Sequence, residues 1–112
     1  MLFPTRELKP YVRPIAKNEL RAGSVYYSVG YVEREMLTPN ITTMVYVGTK
    51  DGLFSFQDIE SFQDGLDHSS AGSDDRIRLY NYDSHSLASV YSFEEGLDSL
   101  LRCWSRRQDR LK

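Results

Sequence analysis

The sequence has little that would support a disulfide-bonded or membrane-spanning protein. Its only cysteine is Cys103, so an intramolecular disulfide, a CxxC redox pair and a cysteine-rich zinc site are all excluded. No window approaches the ~20 consecutive apolar residues that a membrane-spanning helix needs, and the N-terminal region lacks the apolar run of a secretion signal. We therefore expect a cytoplasmic protein that does not enter a membrane.

Motifs for catalysis and for nucleotide binding are also missing. The two histidines, His68 and His85, stand in separate segments without HxxxH or HxH spacing, and there is no GxSxG, GxxxxGK[ST] or GxGxxG motif. We expect no cofactor and favour a non-enzymatic protein. The net charge of -2 provides no overall basic field, so nucleic acid is not the expected partner.

The composition is that of one folded domain. Hydrophobic residues make up 40% and charged residues 27%, with eight Tyr and five Phe among 112 residues. Three prolines, Pro4, Pro10 and Pro14, punctuate the start and leave room for at most one helical turn around residues 6 to 11. The expected parts are a proline-punctuated arm (1–19), an antiparallel β region (20–91), a C-terminal helix (92–107) and a basic tail (108–112).

Alternation with a period of two predicts the strands. Segments 24–32, 41–48, 53–57, 76–82 and 87–91 show it, and Lys50-Asp51-Gly52 marks a tight turn between the second and third. We expect another hairpin between 76–82 and 87–91. Four tyrosines are expected to share one sheet face and to form a core beneath the helix: Tyr26, Tyr46, Tyr80 and Tyr82.

A helix is predicted from residue 92 onward. Ser92 and Glu95 match the S-x-x-E capping box that starts many helices. Five apolar residues then form a single stripe: Phe93, Leu97, Leu100, Leu101 and Trp104. Packing of this stripe on the strands predicts an α+β fold, either a strongly bent antiparallel sheet or a small β-barrel, with four to five strands and one C-terminal helix.

Several segments together resemble a group of small uncharacterised bacterial proteins: LRAGSVYYSVGYVEREMLTP, MVYVG, FSFQDIESF and EEGLDSLLRCWSRR. The resemblance covers most of residues 7 to 107. It implies a bacterial origin and no particular activity. Residues 20–26 are also similar to the first strand of SH3-like small barrels.

The densest cluster of chemistry-bearing residues follows the third predicted strand. The triplet Phe-Gln-Asp occurs at 56–58 and again at 62–64, and residues 58–75 hold six acids without a lysine or arginine. An acidic surface loop that also carries apolar side chains is suited to docking on a cationic protein. The candidate partner-binding residues are Asp58, Glu60, Phe62, Asp64, Leu66 and Asp67.

Our leading hypothesis from the sequence is a small non-enzymatic bacterial protein-interaction module, of the inhibitor or immunity type, that docks a cationic partner through residues 58–75. The alternative is a metal-binding protein or small metal-dependent enzyme, for which oxygen and imidazole ligands are present. Its candidate ligands are Asp58, Glu60, Asp64 and His68. The spacing does not match an EF-hand loop. The partner's identity and the oligomeric state are left open.

Overall fold

A computed structural model describes residues 12 to 111, so the predicted helical turn around residues 6 to 11 lies outside it. Within this range the chain forms an antiparallel sheet and two α-helices. The strands are β1 (Val25–Tyr31), β2 (Pro39–Lys50), β3 (Leu53–Asp58), β4 (Leu79–Tyr82) and β5 (Val90–Tyr91), and the helices are α1 (Ile59–Gln63) and α2 (Phe93–Arg110). Short 3-10 turns occur at Lys17–Glu19, His68–Ser70 and Ser86–Ser89.

The sheet is open, with the strand order β4-β3-β2-β1-β5. Each pair of neighbouring strands is antiparallel. This confirms the predicted α+β class, with a five-stranded sheet packed by one C-terminal helix. The barrel alternative is wrong because β4 and β5 form opposite edges and do not pair with each other.

One predicted hairpin is confirmed and the other is wrong. β2 and β3 are joined by a two-residue turn in which Asp51 and Gly52 have φ angles of 55° and 78°, as a tight hairpin turn requires. β4 and β5 do not form a hairpin, since β4 pairs with β3 and β5 pairs with β1. Their connection instead crosses the sheet and places Leu87 in the hydrophobic core.

One face of the sheet is aromatic, and its centre is Phe56. Its ring lies 5.3 Å from that of Tyr46, 5.4 Å from Tyr82 and 6.1 Å from Tyr26, measured between centroids. The predicted tyrosines do share this face, but α2 does not cover it. Three side chains from outside the strands pack against this cluster: Ile15, Leu20 and Leu87.

Helix α2 packs on the opposite face, and the side that it buries is not the predicted stripe. The buried residues are Glu95, Gly96, Asp98, Ser99 and Cys103, whereas Phe93 and Trp104 are 65% and 61% exposed. The sheet beneath presents tyrosines as well as Val29, and polar groups of the helix contact the tyrosines. The Tyr31 hydroxyl and Ser99 Oγ share a hydrogen bond of 3.0 Å, and the Arg106 guanidinium lies 5.4 Å from the Tyr31 ring centre.

Helix α2 is also tied to the connection between β1 and β2. Cys103 Sγ donates a hydrogen bond to the Leu37 carbonyl at 3.2 Å, and Arg106 Nε donates to the Met36 carbonyl at 3.0 Å. The helix continues through Arg110, so part of the predicted basic tail is helical. No helix in the range 12–111 combines the length and the hydropathy needed to cross a membrane.

Candidate functional site

The first Phe-Gln-Asp triplet anchors the acidic segment to the sheet. Gln57 is 1% exposed, and its Nε2 donates hydrogen bonds to Ser61 Oγ at 2.9 Å and to the Leu66 carbonyl at 3.0 Å. These bonds hold α1 and the chain that follows it against β3. The acidic segment is therefore tied by hydrogen bonds to the sheet at its start.

Asp58 caps α1 and holds the start of β4. Its carboxylate accepts hydrogen bonds from the Ser61 N–H at 3.0 Å, from the Ser61 hydroxyl and from the Arg78 N–H at 2.8 Å. Partial burial acts to raise the pKa of Asp58, but these hydrogen bonds outweigh it and lower the pKa below its ordinary value. Asp58 is thus an ionised structural group.

Two further predicted binding residues also hold the segment in place. Asp67 Oδ1 accepts hydrogen bonds from the N–H and the hydroxyl of Ser69, both at 2.9 Å, and these bonds lower the pKa of Asp67. Leu66 is half-buried, and its carbonyl is the acceptor for Gln57. The side chains of Asp58 and Leu66 are therefore partly withdrawn from a partner, whereas the Asp67 side chain stays 69% exposed.

The structure brings two arginines to this region that the window 58–75 does not include. The Arg76 guanidinium donates two hydrogen bonds to the Asp74 carboxylate, from Nε to Oδ1 at 3.0 Å and from NH2 to Oδ2 at 2.8 Å. The Arg76 side chain lowers the pKa of Asp74 to about 2. Arg78 is exposed, and its backbone N–H donates to the Asp58 carboxylate. The surface is thus less uniformly negative than the sequence count implies.

Three carboxylates stay exposed, and they form no hydrogen bond or ion pair with any residue between 12 and 111: Glu60, Asp64 and Asp75. Glu60 and Asp64 are four residues apart across the short helix α1, which also carries Phe62, 38% exposed. We call Glu60, Phe62, Asp64 and Asp75 the acidic surface. The predicted binding residues end at Asp67 and so omit Asp75, which only the folding back of residues 66–75 brings beside Glu60.

A cleft of about 290 Å³ borders the acidic surface. Its lining is polar and carries both signs of charge: Thr43, Asp58, Ile59, Glu60, Asp75, Arg76, Arg78 and Tyr80. A pair of carboxyls for general acid and base chemistry needs one member with a raised pKa. The pKa of Asp58 is lowered, which suits binding of charged groups better than proton transfer.

The candidate metal ligands are not assembled into a site. Between residues 12 and 111, no group of three or more His, Cys, Asp or Glu side chains is arranged to hold a metal ion. Asp58 is occupied by the cap of α1, and His68 lines a different cleft beside Gly48 and Lys50. The geometry of residues 12 to 111 therefore supplies no ligand set for the metal-binding hypothesis.

Comparison with protein-family models, with curated proteins and with solved structures finds no match. The bacterial origin and the immunity-type role remain predictions from the sequence. The geometry of this chain is accordingly the basis for a functional proposal.

Proposed function

We propose that this chain is a non-enzymatic protein-interaction module that docks a cationic protein through its acidic surface. The observation that carries the proposal is the trio of exposed carboxylates, which form no hydrogen bond or close ion pair between residues 12 and 111, together with the exposed ring of Phe62 on the same short segment. Unpaired surface carboxylates steer a basic partner during encounter, and an aromatic side chain supplies desolvated contact area afterwards.

Hydrogen bonds beneath the acidic surface order it before a partner binds. The Gln57 amide and the Asp58 cap hold α1. The Arg76 ion pair fixes Asp74, the residue that precedes Asp75. A surface that is ordered before binding loses less conformational entropy when the partner arrives. An inhibitor or immunity-type protein that blocks a basic toxin or enzyme is the biological role that we propose for such a module.

Affinity capture from the native cell tests the proposal. Immobilised wild-type protein should retain a stoichiometric protein partner at about 0.1 M salt and release it at about 1 M, where the screening length falls to ~3 Å. The triple variant Glu60→Lys, Asp64→Lys, Asp75→Lys should not retain this partner. Asp58 is left intact because its substitution would disrupt α1 and confuse the result.

The matched control is a pair of single variants. Glu60→Lys and Glu35→Lys change the net charge equally, but Glu35 lies exposed in the connection between β1 and β2. Glu60→Lys should weaken capture and Glu35→Lys should not. Equal retention by the wild type, the triple variant and both single variants would contradict the proposal.

A further inference from the structure

One flank of α2 is apolar, and the residues between 12 and 111 cover it only in part, since the Tyr27 ring packs edge-on against Phe93 with centroids 5.9 Å apart. Phe93 and Trp104 are 65% and 61% exposed, although they belong to the most hydrophobic stripe of the helix. Leu97, Leu100 and Leu101 are only half-buried. A helix of an isolated domain normally turns such a stripe toward the core. Here the core-facing side carries Asp98, which is 0% exposed, so the stripe is left for another occupant.

The apolar surface continues from the helix onto the sheet. A groove of about 150 Å³ runs between α2 and the sheet, and its lining is mostly apolar: Tyr27, Val29, Ile41, Thr43, Phe93, Gly96, Leu97 and Leu100. Ile41 in this groove is 43% exposed. The stripe and the groove together form one contiguous surface of the kind that marks protein interfaces.

The spacing of the stripe matches the seam of a two-helix pair. Phe93, Leu97, Leu100 and Trp104 are separated by four, three and four residues, which is the a/d pattern of helices that pack along their length. In an antiparallel pair, Leu97 of each copy would lie against Leu100 of the other. The same alignment places Phe93 against Trp104 at both ends of the seam.

The charges along α2 complement a second copy of the helix. The exposed charge in the first turn is Glu94, and Arg107 is exposed near the end. Antiparallel pairing brings Glu94 of one copy within about one helical turn, ~5 Å, of Arg107 of the other. Because the dimer is two-fold symmetric, this attraction occurs twice, once at each end of the interface. A parallel pair would instead place like charges together.

We propose that α2 is the interface of an antiparallel, two-fold symmetric dimer of this chain. If each large aromatic side chain offers roughly 200 Å², the exposed parts of Phe93 and Trp104 provide about 250 Å² of apolar area per copy. Specific interfaces start near a total of about 1,200 Å². The apolar area of the two aromatic pairs is smaller than this, and the half-buried leucines and the flanking charges add to it, so we expect a weak dimer that forms at high protein concentration.

Sedimentation equilibrium on the full chain, from about 5 to 500 μM, measures the dimer directly. Trp104 is the only tryptophan, so its emission reports on the interface and should shift to shorter wavelength as the concentration rises. Leu97→Asp should weaken the dimer at least about 30-fold, as expected for a central residue of an interface. Leu53→Asp, the same change in the β2–β3 turn region, should leave Kd within about threefold.

Charge reversal tests the antiparallel arrangement. Glu94→Arg and Arg107→Glu should each weaken self-association about five- to tenfold, and a mixture of the two variants should regain the wild-type Kd. Circular dichroism confirms that each variant is folded. If Leu97→Asp does not fold, Phe93→Ser tests the same surface at a more exposed position.

Three results would overturn the proposal. They are a monomer with unchanged Trp104 emission up to 500 μM, a dimer that Leu97→Asp leaves intact, and single charge reversals that do not weaken association. The acidic surface lies on α1 and its following segment, so failure of the dimer leaves the proposed partner binding untouched, and the reverse also holds.

Discussion

Two copies of the same triplet show how differently identical residues are used in this chain. In the first copy, Phe56 is the centre of the aromatic core, Gln57 is buried and Asp58 caps α1. In the second copy, Phe62, Gln63 and Asp64 are exposed. The difference arises because the first triplet ends a strand, while the second ends a short surface helix.

This contrast predicts different costs for the same substitution. Gln57→Met keeps the volume but leaves the Leu66 carbonyl and the Ser61 hydroxyl without their donor, which should lower the free energy of unfolding by about 2 kcal/mol. Gln63→Met is the matched control at an exposed position and should change it by less than about 0.5 kcal/mol. Urea denaturation measures both. Equal effects would contradict the anchoring role of Gln57.

Asp58 predicts a dependence of stability on pH. Asp58→Ala should lower the free energy of unfolding by about 1 to 2 kcal/mol at pH 7, because α1 loses its cap. The folded-state pKa of Asp58 is below the ordinary value of 3.8, so its contribution is complete above 3.8 and is lost as the pH falls through the folded-state pKa.

Thermal or urea unfolding of the wild type and Asp58→Ala at pH 7 and at about pH 3 measures this dependence. The difference between the two proteins should shrink on acidification. A difference that grows as the pH falls would mean that the carboxylate is not held in its ionised form by the hydrogen bonds from Ser61 and Arg78.

The positions of strands and turns along the chain could largely be predicted from the sequence, but the pairing between strands could not. Alternation identified β1, β2 and β3 and the ends of β4 and β5, although residues 76–78 are not strand and residues 86–89 form a 3-10 turn. Asp51-Gly52 identified the β2–β3 turn, because such signals depend on residues close in the chain. The partner of β5 depends on where Leu87 finds apolar contacts, which is a long-range effect. Local periodicity therefore suggested a hairpin that does not exist.

The orientation of α2 was beyond prediction for a related reason. Its stripe satisfies the usual rule for a core-facing helix, but the sheet beneath presents Tyr27, Tyr31 and Tyr91. Gly96 lies against Tyr27 and Tyr91, and Ser99 shares a hydrogen bond with the Tyr31 hydroxyl. In the candidate site, the acids themselves were visible in the sequence, whereas the caps and the Arg76 ion pair that engage half of them were not.

Gly96 tests this packing of α2 on the tyrosines. A β-carbon at Gly96 would lie 3.8 Å from Cβ of both Tyr27 and Tyr91, an ordinary contact distance. Gly96→Ala should therefore raise the free energy of unfolding by about 0.5 to 1 kcal/mol through helix propensity. Gly96→Leu should lower it by about 1 to 3 kcal/mol through overpacking. Equal tolerance of both substitutions in thermal unfolding would contradict the close approach.

As a whole, the molecule carries the acidic surface and the apolar stripe of α2 on the same side of its sheet, and we propose binding at each. The aromatic face forms the hydrophobic core, against which Ile15, Leu20 and Leu87 pack. The other face carries both helices, with the acidic surface on one side and the apolar stripe of α2 on the other. The two proposed interactions use different residues of α1 and α2, although Thr43 lines both the cleft beside the acidic surface and the groove beside α2.

The association rate of the captured partner, measured against ionic strength, tests the central claim most directly. For the wild type, the rate should fall at least about tenfold between about 0.1 M and 1 M salt, because screening removes electrostatic steering. Glu60→Lys should already be slow at low salt, and Glu35→Lys should match the wild type. A rate that is independent of salt and equal for all three proteins would contradict docking through the acidic surface.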